Sequence, residues 1–183
     1  MPDNSLARQF WGRVPFTFCG AFLYFSKGSR VQSLLHQLKY NNRPEVGLKL
    51  GHLYGKQLSS ALSSFLPDVI VPVPLHPKRQ KKRGYNQSEY FARGLSETMH
   101  IPIDTSTLQR GAFTSSQTKK SRFLRYENMK DVFFLSKAEE FEGKHILLVD
   151  DIITTGATIE SSAIPIHEVP ATKISIAGIA YTN

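Results

Sequence analysis

The feature that most constrains this chain is a hydrophobic run that ends in two adjacent carboxylates and a small polar loop. Residues 146–149 read Ile-Leu-Leu-Val, Asp150 and Asp151 follow, and after two further apolar residues comes Thr-Thr-Gly-Ala-Thr at 154–158. Such a run is typical of a strand buried on both faces of a parallel sheet. Ligand sites in open α/β sheets lie beyond the carboxyl ends of these strands. The acids and the loop therefore stand where a site is expected.

The loop at residues 154–158 leads into a predicted helix, so its backbone N–H groups can surround a phosphate at the helix N-terminus. Asp150 and Asp151 would accept hydrogen bonds from sugar hydroxyls, or face a hydrated metal, beside that phosphate. Phosphate next to hydroxyls indicates a ribose 5-phosphate. The alternative is an ordinary buried strand with a polar turn, but the spacing from the acids to Thr-Thr-Gly favours the phosphate site.

Apolar strands alternate with helical patterns along the chain, which predicts an α/β fold with a parallel sheet flanked by helices. Residues 1–183 are expected to form a single domain. Helical spacing begins near Val31, again after Pro44, and from Asn86 to Met99. Strands are expected at 68–74, 107–110, 131–135, 145–150 and 173–181.

Two segments depart from this regular alternation. Residues 1–30 are rich in aromatic side chains, and we expect irregular structure or short strands packed on the core. The helix after Thr158 meets Pro165, which removes a hydrogen bond and clashes with the preceding turn. We therefore expect a short or kinked helix of about two turns that ends before Pro165.

The net charge of +8 favours polyanionic ligands and is concentrated in two clusters. The first lies beside His76 and comprises Lys78, Arg79, Lys81, Lys82 and Arg83; the second comprises Lys119, Lys120, Arg122 and Arg125. Both clusters suit pyrophosphate or nucleic-acid phosphate. The alternatives are a solvated basic loop for the first cluster and an amphipathic surface helix for the second. Phe123 and Tyr126 lie within the second cluster, so base stacking on single-stranded nucleic acid is also compatible with it.

The strand, acids and loop resemble the phosphoribosyl-pyrophosphate (PRPP) motif of type I phosphoribosyltransferases. The phrases Pro-Val-Pro-Leu-His-Pro at 72–77 and Arg-Gly-Tyr-Asn-Gln-Ser at 83–88 resemble the ComF family, which is associated with DNA uptake in competence. Further matches lie at 35–40, at Gln117, Arg122 and Asn128, and at Gly143-Lys144. The resemblance implies a type I phosphoribosyltransferase fold with a small N-terminal hood-like region.

It also implies a function: PRPP and Mg²⁺ would bind, and a phosphoribosyl group would pass to a nitrogen acceptor with release of pyrophosphate. Asp150 and Asp151 would be the catalytic and metal-facing residues, directly or through water. Thr154, Thr155, Gly156, Ala157 and Thr158 would hold the 5-phosphate, and His76 with the two basic clusters would hold pyrophosphate or DNA. The alternative is a non-catalytic PRPP sensor or a single-stranded-DNA-binding competence protein, with a competence helicase as a partner.

Many members of that family begin with a cysteine-rich zinc ribbon, but Cys19 is the only cysteine in this sequence. Contacts made through such a ribbon are therefore not expected from these residues. The sequence shows neither a signal-peptide pattern nor an apolar stretch of membrane-spanning length. We expect a cytoplasmic protein without membrane insertion, and oligomers are compatible with the fold.

Overall fold

The computed structural model describes residues 4–111 and 132–182, and alternates helices with strands along both ranges. The helices are α1 (Ser5–Phe10), α2 (Arg30–Tyr40), α3 (Pro44–Ala61), α4 (Pro77–Arg83), α5 (Gln87–Met99) and α6 (Ala157–His167). The strands are β1 (Phe18–Tyr24), β2 (Val69–Pro72), β3 (Leu108–Gly111), β4 (Val132–Leu135), β5 (His145–Ile153) and β6 (Lys173–Tyr181). None of the helices in these two ranges is both long and apolar enough to cross a membrane.

Four strands form one sheet in the order β1–β6–β5–β2, and every neighbouring pair is parallel. β5 lies between β6, where Asp150 pairs with Gly178, and β2, where Pro72 pairs with Val149. The residues from Ile146 to Val149 are fully buried. The prediction of a parallel sheet flanked by helices is confirmed.

Helices cover both faces of this sheet. Because successive strand side chains point to opposite faces, Ile146 and Leu148 pack towards α1 and α6, while Leu147 and Val149 pack towards α2, α3 and α5. The chain leaves β2 towards α5 but leaves β5 towards α6, so the two connections part at the carboxyl end of the sheet. This divergence opens the crevice in which α/β proteins bind ligands.

The N-terminal segment contributes a strand to the central sheet, in agreement with the expectation of short strands packed on the core. β1 extends the central sheet at its edge by pairing with β6, and Asn4 caps α1 by accepting a hydrogen bond from the Ala7 N–H at 2.8 Å. Phe18 and Cys19 are buried in β1. The aromatic-rich composition of residues 1–30 left a strand and irregular structure both open, because aromatic residues suit either.

The first basic cluster lies on helix α4 and not in the solvated loop that was the alternative for these residues. Pro77 occupies the first turn of α4, where a missing N–H has no cost, and His76 caps the helix. Lysine and arginine are good helix formers, and their charges favour the last turn. Gly84 ends the helix in the left-handed conformation with φ 83°.

Helix α6 continues through Pro165 to His167, which corrects the expectation that it would end before the proline. Pro165 stands in the last turn, where only one hydrogen bond is lost. Ile159, Ala163 and Ile166 are buried against the sheet. This tertiary packing outweighs the local penalty.

Strands β3 and β4 pair antiparallel as a separate ribbon, in agreement with the strands predicted near 107–110 and 131–135. The segment that joins them contains Gln117, Asn128 and the second basic cluster, and lies outside the described residues. β2 is shorter than the predicted 68–74 strand and ends at Pro72 on the sheet edge, since proline cannot donate to a strand ladder.

Candidate functional site

The acidic pair lies at the carboxyl end of β5, as predicted. Oδ1 of Asp150 accepts hydrogen bonds from the Ser88 hydroxyl at 3.0 Å and from the Asp151 backbone N–H at 2.8 Å. Burial, together with the neighbouring charge of Asp151, raises the pKa of Asp150 to about 7. Ser88 stands in the first turn of α5, where Asn86 caps the helix, so this helix positions the donor.

Asp151 forms an ion pair with Lys39, whose Nζ lies 2.9 Å from Oδ2. The side chains of Lys39 and Asp151 are only 19% and 13% exposed, so the pair is shielded from solvent. Lys39 comes from the last turn of α2. The two carboxylates therefore differ: Asp150 is held by neutral donors and Asp151 by a cation.

The N-terminal segment packs against the loop at residues 154–158. Gly156 has φ 76°, and a Cβ added to it would stand 2.6 Å from the Phe10 ring. Arg13 donates to the Thr155 carbonyl at 3.0 Å and forms an ion pair with Glu160 in the first turn of α6. The loop is therefore closely packed at Gly156, while Thr154 and Thr155 are exposed.

One cavity of about 210 Å³ brings these features together in the crevice between β2 and β5. Its charged and hydroxyl-bearing lining consists of Lys39, Arg79, Arg83, Ser88, Arg110, Asp150, Asp151, Thr154 and Thr158. A smaller space of about 20 Å³ follows the loop from Asp150 to Ile159. Carboxylates, two threonines of the loop and cations thus surround one volume.

The predicted basic residues divide between two cavities. Arg79 and Arg83 line the acidic cavity and also a neighbouring one of about 780 Å³, which Lys81 and Lys82 line as well. Lys78 is exposed and lines neither cavity. His76 acts as the cap of α4, where its Nδ1 accepts from the Lys78 N–H at 3.2 Å. The predictions for Lys119, Lys120, Arg122 and Arg125 lie outside the described residues.

Three residues that line the cavity were not predicted as site residues from the sequence: Lys39, Ser88 and Arg110. Lys39 and Ser88 lie within the family-like phrases at 35–40 and 83–88, which was the available signal. Arg110 stands on β3, with its guanidinium 5.0 Å from the centre of the Phe133 ring. These contacts join distant parts of the chain, so no local pattern reports them.

The donor set suits Mg²⁺ held mainly by a ligand. Mg²⁺ keeps several waters and is commonly bound by one or two carboxylates together with substrate phosphates. Asp150 and Asp151 supply two carboxylates that line the cavity of about 210 Å³. Within residues 4–111 and 132–182, no group of three or more His, Cys, Asp or Glu side chains could hold a metal by itself.

Comparison with known families accounts for this arrangement. A family model described as a phosphoribosyl transferase domain matches residues 86–183. The chain belongs to the phosphoribosyltransferase family. The match begins at Asn86, the cap of α5, and includes the acidic pair and the loop at residues 154–158.

Relatives of this phosphoribosyltransferase-family chain confirm the resemblance to ComF. It is 36% identical over 136 residues to DNA utilization protein YhgH of Escherichia coli, covering 73% of this chain and 59% of that protein. It is 33% identical over 164 residues to competence protein ComFC of Bacillus subtilis, covering 88% and 59%. Competence protein F of Haemophilus influenzae is 31% identical over 151 residues, covering 80% and 66%. The chain thus spans about three-fifths of the length of the first two relatives.

Solved structures support the same fold. The glutamine PRPP amidotransferase of B. subtilis matches with a TM-score of 0.52 and 23% identity, covering 79% of this chain and 30% of that chain. An adenine phosphoribosyltransferase matches with a TM-score of 0.50 and 16% identity, covering 75% and 71%. At these identities the likeness concerns the fold alone.

Proposed function

We propose that this chain binds PRPP with Mg²⁺ in the crevice between β2 and β5 and transfers its phosphoribosyl group to a nitrogen acceptor. The observation that carries the proposal is the convergence of the acidic pair, Thr154 and Thr158 of the loop, and the two arginines of α4 on one cavity. The loop at 154–158 takes the 5-phosphate, Asp150 and Asp151 accept the ribose hydroxyls, and Arg79 and Arg83 take the pyrophosphate.

In the reaction, the lone pair of the acceptor nitrogen forms a bond to C1 of the ribose. The bond from C1 to the pyrophosphate oxygen breaks, and its electron pair leaves with the pyrophosphate. The acceptor loses a proton to solvent. Arg79 and Arg83 stabilise the departing group because they place positive charge where negative charge accumulates. Bound Mg²⁺, facing Asp150 and Asp151, would add to that neutralisation.

Binding is the first test, measured by isothermal titration of PRPP in Mg²⁺. Asp150→Asn and Asp151→Asn should each weaken PRPP about ten- to a hundredfold, since a hydrogen bond to a charged group contributes roughly 1.5–3 kcal/mol. Glu139→Gln, which changes an exposed carboxylate away from the crevice, should leave the affinity unchanged. Unaltered PRPP affinity in both aspartate variants would refute the assignment.

Turnover is tested separately by pyrophosphate release with PRPP, Mg²⁺ and a panel of purines, pyrimidines and ammonia. We expect release that depends on one class of acceptor and disappears in Asp151→Asn. Positioning of the second substrate supplies much of the rate, so a chain that cannot position an acceptor would bind PRPP without turnover. PRPP binding without acceptor-dependent release would therefore indicate a sensor.

A second candidate function is single-stranded DNA binding on the α4 side of the crevice. The cavity of about 780 Å³ is lined by five cationic side chains: Lys39, Arg79, Lys81, Lys82 and Arg83. Tyr40 in the same lining is 65% exposed, and the Arg83 guanidinium lies 5.4 Å from its ring centre. Cations beside an exposed aromatic ring suit a phosphate backbone and a stacked base.

The salt dependence of DNA binding tests this candidate. On single strands each phosphate contact contributes about −0.7 to the slope of log affinity against log salt. Lys81→Ala with Lys82→Ala should flatten the slope by about 1.4. Lys49→Ala with Lys56→Ala, two exposed lysines on α3, should leave it unchanged. Affinity that ignores salt would exclude this mode.

A further inference from the structure

The ion pair that Lys39 forms with Asp151 is shielded from solvent, unlike an ordinary surface ion pair. The Nζ of Lys39 lies 2.9 Å from Oδ2 of Asp151, and both side chains are largely buried. Exposed ion pairs contribute little to stability, and buried ones lose much of their Coulomb attraction to desolvation. Stability is therefore a weak reason to place an ammonium group at this point.

The same side chain stands at the junction of two volumes. Lys39, Arg79 and Arg83 line both the acidic cavity and the larger basic cavity beside it. The ammonium therefore lies between a carboxylate and a space lined mainly by cationic side chains. A lysine has three donors on a flexible four-carbon stem, so it can reach either partner with a small rotation.

In the proposed reaction, the ion pair of Lys39 with Asp151 competes with the binding of the ribose hydroxyls. Ribose hydroxyls that approach Oδ2 of Asp151 compete with Lys39 for that oxygen. We propose that Lys39 exchanges Asp151 for the diphosphate of the bound ligand, and so selects ribose 5-phosphates that carry a diphosphate at C1. This inference rests on the proposed PRPP binding and adds a selecting residue from α2, outside both the phosphate loop and α4.

The exchange predicts unequal binding of two related ligands. Ribose 5-phosphate brings hydroxyls that displace Lys39 but no diphosphate to receive it, so a partly buried ammonium is left without a partner. PRPP supplies both the hydroxyls and the new partner. Lys39 should therefore strengthen PRPP binding while it opposes ribose 5-phosphate.

The test compares the affinities of PRPP and ribose 5-phosphate in saturating Mg²⁺ by isothermal titration. Lys39→Met keeps the apolar stem and removes the charge, whereas Lys39→Arg keeps the charge. Lys49→Met is the matched control, because Lys49 is an exposed lysine on α3. Thermal unfolding of each variant checks that the fold is kept.

We expect Lys39→Met to weaken PRPP by about ten- to a hundredfold. Ribose 5-phosphate should bind it as tightly as wild type or more tightly. Lys39→Arg should keep most of the preference for PRPP, and Lys49→Met should bind both ligands as wild type does.

Equal weakening of both ligands in Lys39→Met would show that Lys39 only holds Asp151 in place, and would overturn the exchange. Unchanged affinity for both ligands would overturn it as well. Failure of the wild type to bind either ligand would overturn the proposed function and the exchange with it. Failure of the exchange is thus distinguishable from failure of the proposed PRPP binding.

Discussion

At the scale of single residues, the site separates two adjacent carboxylates by giving them different partners. Asp150 accepts from Ser88 and from a backbone N–H, whereas Asp151 has the ammonium of Lys39. Two neighbouring carboxylates repel when both are ionised, and the charge of Lys39 only partly offsets this repulsion at Asp150. The raised pKa of Asp150, about 7, follows from burial and this repulsion.

This pKa predicts a pH-dependent stability. The pKa of Asp150 rises from 3.8 to about 7 on folding, so between these values the folded state binds more protons than the unfolded state. The free energy of unfolding must then fall as pH rises through that window. Asp150→Asn should remove this contribution, which urea unfolding at several pH values can measure.

Ser88→Ala provides the matched comparison at the same site. The Ser88 hydroxyl donates to the carboxylate of Asp150 and lowers its pKa. Its loss should raise that pKa further and extend the decline in stability to higher pH. Identical pH profiles for wild type and Asp150→Asn would contradict the assigned pKa.

At the scale of elements, α5 reaches the acidic pair because it packs unusually close to α3. A Cβ added to Gly51 on α3 would stand 2.9 Å from the Cα of Gly94 on α5, and closer still to the Phe91 carbonyl oxygen. Side chains at these glycines would force the two backbones apart. This close crossing sets the position of Ser88 relative to β5.

The sequence predicted these elements better than their contacts. The helix after Pro44, the helix capped by Asn86 and the buried run before Asp150 follow from local spacing and capping, and each is confirmed. The approach of Lys39 to Asp151 depends on how α2 docks on the sheet, which no local pattern encodes. The helical form of the first basic cluster was missed because charge runs suit helices and loops equally.

Substitution of Gly51 tests the crossing of α3 and α5. Gly51→Ala should destabilise the protein by about 1–3 kcal/mol, because backbone atoms of α5 cannot yield to the new methyl group. In Gly47→Ala the nearest atoms are side-chain atoms of Leu38 and Tyr90 at 3.2 and 3.3 Å. Alanine is favoured over glycine in helices by roughly 0.5–1 kcal/mol, so this control should be nearly neutral. Equal effects of the two changes in urea unfolding would argue against the close crossing.

At the scale of the whole molecule, the site depends on residues that precede the family match. The matched region, residues 86–183, contains the acidic pair and the loop at residues 154–158. The earlier residues supply both edge strands of the central sheet, β1 and β2, as well as Lys39 and the arginines of α4. Phe10 packs against Gly156, and Arg13 donates a hydrogen bond to the Thr155 carbonyl in that loop. The two parts of the chain therefore form one core and one site.

This interdependence predicts that residues 86–183 do not fold alone. Without the earlier part, β5 and β6 lose their partners at both sheet edges, and one face loses the side chains of α2 and α3 that bury Leu147 and Ile179. The isolated fragment should lack the near-ultraviolet circular dichroism and cooperative thermal transition of the full chain. Mixing it with a fragment of residues 1–85 should restore both signals in proportion to complex formed. A cooperative transition in the isolated fragment would show instead that β5, α6 and β6 form an independent unit on which the earlier residues merely dock.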